Sequence, residues 1–415
     1  MKCPDGMTDS QQLLRLSNGL RVAYVHRQAA RTDYLALSVN AGSRDDAPGH
    51  EGLAHFVEHT IFKGTELHRP SYIINRMEAV GGELNAYTTK EETVVYTLAP
   101  AGNLRRSVDL VYELIAHSVF PAVEIDRERE VVIDEIASYL DSPADAVIDD
   151  FEDMVFAGNG LGHNISGSKE TVMTLSGDVC RQYLKHYFVP DNMVLVYAGA
   201  QSVDEVMKLL ERTFGHLDHP APTLHRQLPA TPATPLDSVR DVGLHQSHTV
   251  VGAVIPGAKS PERHAISLLA NILGGPGMNS LLNVELREKR GLVYSVDCST
   301  SMFSDCGVME IYFGCDECDT ARCLRHVRSV LSRVCDGYLT ETRLARAKRQ
   351  YLGQLIVGNE NVEARILALG RYVTLFDALP DPQAVIDSIK SLTPADLTHA
   401  ASYLAPTHLC RLTMR

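Results

Sequence analysis

The chain has 415 residues, is 45% hydrophobic and 22% charged, and carries a formal net charge of −13. The length points to two or more domains, and the acidic balance argues against nucleic acid as a partner, because phosphate binding needs a basic face. No apolar run reaches the roughly 18–20 residues that a membrane span requires.

The N-terminal MKCPDGMTDSQQ has neither the apolar core of a signal peptide nor an Arg-rich amphipathic pattern, so the expected location is the cytoplasm. Residues 14–26 read as a β-hairpin turning at Asn18-Gly19. Residues 33–41 (DYLALSVNA) read as a buried strand, and 42–52 as a polar loop with Pro48 and Gly49.

GLAHFVEHTIFKGT follows, at residues 52–65. Its apolar residues have a helical pattern, and within it His55, Glu58 and His59 form an H-x-x-E-H array. Residues four apart on an α-helix stack on one face, about 6 Å along the axis. His55 and His59 can therefore offer imidazole nitrogens to one cation, and two neutral imidazoles suit Zn²⁺. Glu58 reaches the same neighbourhood and can hold a water there without being a ligand. The histidine pair alone leaves another reading open, that of ordinary core or surface residues. Glu58 argues for the metal, since an ionised carboxylate on an apolar helix is costly unless paired.

Further along, 71–80 is expected to be helical and to stop at Gly81-Gly82. Residues 83–98 have the Thr, Tyr and Val content of strands. Helices are expected over 104–120, 125–140, 144–156, 178–187 and 202–214, with a strand at 193–198. Residues 217–235 hold five prolines and no apolar period, which reads as an interdomain linker. Beyond it the order of elements resembles the first half: strand 249–255, helix 261–273, a Gly274–Gly277 segment, helix 280–289, strands 293–299 and 308–313, and helices 321–336 and 341–357. This is an internal repeat of architecture. The stretch ISLLANIL in the second copy has neither His nor Glu.

The nine cysteines are odd in number and mostly lie in apolar patterns, as reduced thiols do. Cys315-x-x-Cys318, with Cys323 nearby, has the spacing of half a zinc site, but no second close pair completes it. Thiols on a loop after a strand are the plainer reading.

Catalytic zinc usually takes three protein ligands. Glu135 is the candidate third, mid-helix among Val131, Val132, Ile133 and Ile136. A carboxylate turned to the apolar side of a helix needs a partner, and a cation is one. Glu128 lies two turns earlier on the same face. The competing reading places both on a solvated face that continues the charge run 127–130.

HFVEH followed by Glu128 and Glu135 at this spacing resembles the pitrilysin-type (inverzincin) zinc metallopeptidases. That family includes mitochondrial processing peptidase, insulin-degrading enzyme and many bacterial half-length peptidases. SNGLRV, the loop 41–45, FKGT, GGELNAYT, VVIDEI and PDNMVLVYAG are similar to its landmarks, over nearly the whole chain. The resemblance implies an α+β fold of two similar αβ domains, each a mostly antiparallel sheet packed with helices, together forming half of a clamshell. The expected division is a zinc-bearing domain at 1–216, a linker at 217–244 and a domain at 245–415 without the zinc motif.

The resemblance further implies a zinc-dependent endopeptidase for peptides or unfolded segments. His55, His59 and Glu135 would bind one zinc per chain, Glu58 would be general base and acid, and Glu128 would support the site. Asn85 and Ala86 would pair with substrate as an added β-strand, and Arg287 and Tyr294 would bind it from the other half. Pro276 departs from the family's pure glycine run, so the Gly274–Gly277 segment receives no role. Because one chain carries both sets of elements, a homodimer is expected. The alternative is a non-catalytic or partner-dependent processing-peptidase-like subunit, which should have lost a ligand or Glu58; all are intact here.

Overall fold

The structure is a computed structural model that describes residues 10–217, 224–232 and 234–415. Cys3 and the linker prolines Pro220 and Pro222 lie outside the described residues.

The first sheet has six strands: β1 (Ser10–Arg15), β2 (Arg21–His26), β3 (Thr32–Val39), β4 (Glu83–Thr88), β5 (Thr93–Pro100) and β6 (Met193–Gly199), in the order β1-β2-β6-β3-β5-β4. All pairs are antiparallel except β2 with β6. The expected hairpin is β1–β2, and Gly19 in its turn has φ +88°, a conformation glycine adopts without steric cost. The strand-rich run 83–98 is itself a hairpin, β4 and β5, turned at 89–92. Thr93 and Thr88 are paired across it.

The second sheet has five strands: β7 (Asp237–Arg240), β8 (Ser247–Pro256), β9 (Val296–Met302), β10 (Cys306–Cys315) and β11 (Cys410–Met414), in the order β7-β11-β8-β10-β9. Here β7 and β11 are the parallel pair. Leaving β1 aside, the two orders correspond strand for strand, with β2, β6, β3, β5 and β4 matching β7, β11, β8, β10 and β9. The repeat read from the element order is thus a repeat of topology. The α+β reading, with two mostly antiparallel sheets packed by helices, holds.

Helices α1 (Leu53–Thr60), α2 (Pro70–Glu78), α3 (Leu104–His117) and α4 (Ala122–Leu140) follow in the first half. Their apolar residues join one face of the first sheet in a core containing Phe56, Val57, Met77, Val108, Val111 and Val132. Strand β6 is buried along its whole length, so the opposite face also needs cover. The helix Val362–Phe376, from the far end of the sequence, supplies it: Ile366, Leu369 and Val373 pack on Ala23, Ala36, Val194 and Val196. The second sheet shows the reverse. Its one face packs on Arg263–Gly274 and Thr320–Cys335, while its other face is covered by α5 (Pro143–Val155), through Val147, Phe151 and Val155 on Val250, Val308 and Leu412.

This exchange changes the expected domain division. The two compact units are discontinuous: one takes the chain up to Ile136, then Ile165–Arg226 and Asn359–Pro380, and the other takes Ala137–Asn164, Gln227–Gly358 and Asp381–Arg415. A cut into 1–216 and 245–415 separates each of these helices from the sheet it covers. The physical reason is burial: a fully apolar helix face is worth about 1.5–3 kcal/mol per large side chain, and that face lies on the sheet of the other repeat. One boundary, between Arg226 and Gln227, falls inside the expected linker. Arg226 is held in the first unit by Asp45 Oδ2 at 2.6 Å and by Asn40 Oδ1 at 3.0 Å.

Candidate metal and catalytic site

Every residue of the candidate metal site belongs to the first unit. Helix α1 is entered through Gly52, which has φ +97° and whose added Cβ would meet the Ser166 carbonyl at 2.6 Å. The helix N-terminus is tied down by Asp46, whose Oδ2 accepts from the Gly52 N–H at 2.8 Å and Oδ1 from the Ala54 N–H at 3.0 Å. A carboxylate at this end satisfies amides that have no partner inside the helix. Leu53, Ala54, Phe56, Val57 and Ile61 anchor the helix in the core, which leaves His55, Glu58 and His59 to converge on one side.

The two imidazoles are one turn apart, with ring centroids 4.5 Å from each other and planes at 63°. Glu135 arrives from α4: its Oε1 is 3.7 Å from His55 Nε2 and its Oε2 is 3.3 Å from His59 Nε2. One ligand atom from each of the three residues lies within 4.8 Å of the others, the only such metal-ligating group among the described residues.

Glu128, buried two turns before Glu135, accepts from His59 Nδ1 at 3.1 Å. Its other oxygen is 2.7 Å from Lys63 Nζ. A neutral imidazole that donates through Nδ1 carries a lone pair on Nε2. That lone pair faces the Glu135 carboxylate, so two acceptors point at one another. A cation between them resolves the conflict, and the donor set of two imidazoles and a carboxylate is one that zinc accepts. The residues fit the ion. His55 is pushed down to about 4, chiefly by burial and then by His59, so its ring is neutral at physiological pH. Its buried Nδ1 has no hydrogen-bond partner.

Glu58 sits beside this group. Burial raises its pKa above the ordinary carboxylate value, Thr88 and His59 pull it back, and Glu135 raises it further. Thr88 ends β4, the terminal strand of the first sheet, which among the described residues is paired only with β5. Asn85 and Ala86 lie on that strand, opposite Tyr96 and Val95, with the other edge of their backbone unpaired among the described residues.

Arg287 and Tyr294 belong to the second unit. Arg287 lies in a six-residue π-helical stretch, Asn283–Glu288, where the expected α-helix is underwound. Its guanidinium carbon is 5.9 Å from the centre of the Tyr294 ring, and Tyr294 is 86% exposed. The structure thus brings these two together.

Three contributors were not legible as such. Lys63 lies four residues after His59 but beyond the end of α1, and it reaches the site through Glu128 on another helix. Asp46 and Thr88 reach the site only through the loop and sheet that carry them. The eight cysteines among the described residues are free thiols. Cys315 and Cys323 are buried in mutual hydrogen-bond contact, Cys318 is exposed, and no metal-ligating group forms there among the described residues. The Gly274–Gly277 segment gains a structural reason at its first residue: a Cβ on Gly274 would lie 2.4 Å from the Cys298 amide nitrogen, so the helix end packs directly on β9.

Residues 21–169 match the insulinase family (peptidase family M16), and residues 174–351 match the peptidase M16 inactive domain. An uncharacterized zinc protease of Streptomyces coelicolor is 32% identical over 93% of this chain and 85% of its own length. The chain belongs to peptidase family M16. Another relative, an uncharacterized zinc protease of Bacillus subtilis, is 28% identical over 89% of this chain and 91% of its own. Among solved structures, a protease from Helicobacter pylori has the same fold, with a TM-score of 0.91, 21% identity and coverage of 98% and 100% of the two chains. A Pseudomonas fluorescens structure described as a peptidase M16 inactive domain gives a TM-score of 0.89 at 18% identity, covering 98% and 97%. The relatives' names place zinc protease chemistry at the level of the family. No helix among the described residues is long and apolar enough to cross a membrane.

Proposed function

We propose that this M16 chain is a zinc-dependent endopeptidase that hydrolyses peptides or unfolded segments. The observation that supports it is the convergence of His55, His59 and Glu135 with Glu58 at their side. These three residues would hold one zinc per chain, which when bound supplies Lewis acidity to water and to a scissile carbonyl. Glu58 orients a water, accepts its proton and hands that proton to the leaving amine. Its raised pKa brings it nearer the range in which one group both takes and gives a proton. Glu128 holds His59 in the tautomer with Nε2 free, and Lys63 holds Glu128.

The open edge of β4 at Asn85 and Ala86 takes an extended peptide as an added strand, with main-chain hydrogen bonds for affinity. Arg287 and Tyr294 donate to the substrate carbonyl or the developing oxyanion. The working form is a homodimer enclosing a chamber that admits extended chains and rejects folded ones, and it acts in the cytoplasm.

The test is zinc content and cleavage of a quenched peptide, for wild type and Glu58→Gln. The variant is expected to keep zinc and lose nearly all turnover. Turnover retained by Glu58→Gln would remove the base assignment. A wild type that is fully zinc-loaded and inert until a second protein is added would instead establish the partner-dependent subunit. For the dimer, Glu58→Gln is mixed with Arg287→Ala/Tyr294→Phe. Recovery of activity from two inactive chains is expected if one copy serves the other. A monomeric mass with full activity rejects the dimer.

A further inference from the structure

The second unit holds a cleft of about 320 Å³ that the peptidase reading does not use. It lies beside the Gly274–Gly277 segment, and four cationic side chains line it: Lys289, Arg333, Arg343 and Arg346. Its single carboxylate, Glu285, is already committed. Glu285 is buried and takes Arg290 at 2.9 Å and Lys289 at 3.4 Å, with His326 at 3.6 Å and Arg333 at 3.9 Å. One acid cannot neutralise this set, so the cleft keeps a surplus of positive charge in a chain whose net charge is −13.

Two of the guanidiniums are fixed in place. Arg343 lies 3.9 Å over the Tyr338 ring and donates to the Tyr338 carbonyl at 2.7 Å, and Arg333 lies 5.4 Å from the same ring centre. Stacking on an aromatic face removes part of the entropy a ligand would otherwise have to freeze. Arg346 has no ion pair or hydrogen bond among the described residues. Ser280, 5% exposed in the cleft wall, has a hydroxyl with no partner.

We propose that this cleft binds a small oligophosphate anion. Fixed guanidiniums match phosphate oxygens in geometry, and adjacent phosphate groups place several negative charges within one small volume. The volume suits a compact ligand and is too small for a nucleic-acid duplex. The inference stands on the second unit alone and does not depend on the peptidase reading.

Inorganic triphosphate titrated calorimetrically into the full chain tests it. Saturable one-site binding is expected, weaker as salt is raised. Affinity is expected to fall about tenfold in Arg346→Gln and further in Arg343→Ala/Arg346→Gln. Arg346 is exposed and has no partner among the described residues, so its replacement leaves folding intact, which an unchanged melting temperature verifies. Citrate, which offers clustered carboxylates in a similar volume, is expected to bind at least tenfold more weakly. Absence of binding overturns the proposal. So does affinity that survives both arginine replacements, as it would if triphosphate sat on a metal ion, and so does citrate binding as tightly as triphosphate.

Discussion

The two repeats share one strand order, and each places a helix after the matching strand, α1 after β3 and Arg263–Gly274 after β8. In the first, that helix carries His55, Glu58 and His59 into a partly buried site. In the second it buries Ile266, Leu268, Leu269 and Leu273, and its partly buried Asn271 donates to Gln354 at 2.8 Å. The difference lies in what surrounds each helix. Around α1, Asp46 caps the amides, Glu128 and Lys63 fix His59, and Thr88 stands by Glu58. Topology alone accommodates either interior. Ionisable groups persist in one repeat because neighbouring elements supply their partners.

Substitutions sharpen this contrast. The largest effect is expected from Glu58→Gln, with turnover on a quenched peptide reduced about 10²–10⁴-fold at unchanged zinc content. The matching disturbance in the second repeat, Leu269→Ala, opens a cavity at a fully buried site and is expected to cost about 2–5 kcal/mol of stability in denaturant unfolding. Zinc content of the folded protein should not change; a loss would mean the repeats are not separable in this way.

The exchanged helices invite a third test. Where Val362–Phe376 covers the first sheet, buried Glu92 accepts from Ser38, faces Arg371 and lies near Tyr87. Burial lifts it from the ordinary 4.5 to about 7, against the lowering by Ser38 and Arg371. The folded state therefore binds a proton more tightly than the unfolded state does. Stability from this group is present at low pH and is lost as pH rises from about 4.5 through 7, on the order of 2–3 kcal/mol. Glu92→Gln is expected to flatten that part of the pH–stability curve and to raise the melting temperature at neutral pH. The face under α5 also buries an acid, Glu310 on β10 between Val308 and Tyr312, so both exchanged helices cover a buried carboxyl group.

The smallest effects are expected one step out from the ligands. Glu128→Ala should weaken zinc affinity about 10–100-fold in a competition titration, and Lys63→Met by roughly a few-fold. Equal effects of the two would mean that Lys63 acts on the site by another route.

Much of this was legible in the chain. HFVEH gave the i, i+4 histidines, Glu135 showed as a carboxylate among Val132, Ile133 and Ile136, and the repeated order of strands and helices gave the repeat. The run 193–198 reads as a strand; that both of its faces are covered, and by what, is decided by the tertiary structure. The elements read from the chain stop at 357, short of three helices and β11 within the expected domain 245–415. Local periodicity reports which face of a segment is apolar; it does not report which sheet that face will meet.

What the sequence by itself determined is the chemistry: the donor types, their helical spacing and the family to which the chain belongs. Only the tertiary structure decided the partition. α5 and Val362–Phe376 each cover the sheet of the opposite repeat, because burying an apolar face depends on where a complementary face stands in space, not on distance along the chain. The same holds for Lys63, Asp46 and Thr88. Their roles arise from contacts between segments, and no pattern within one segment encodes them.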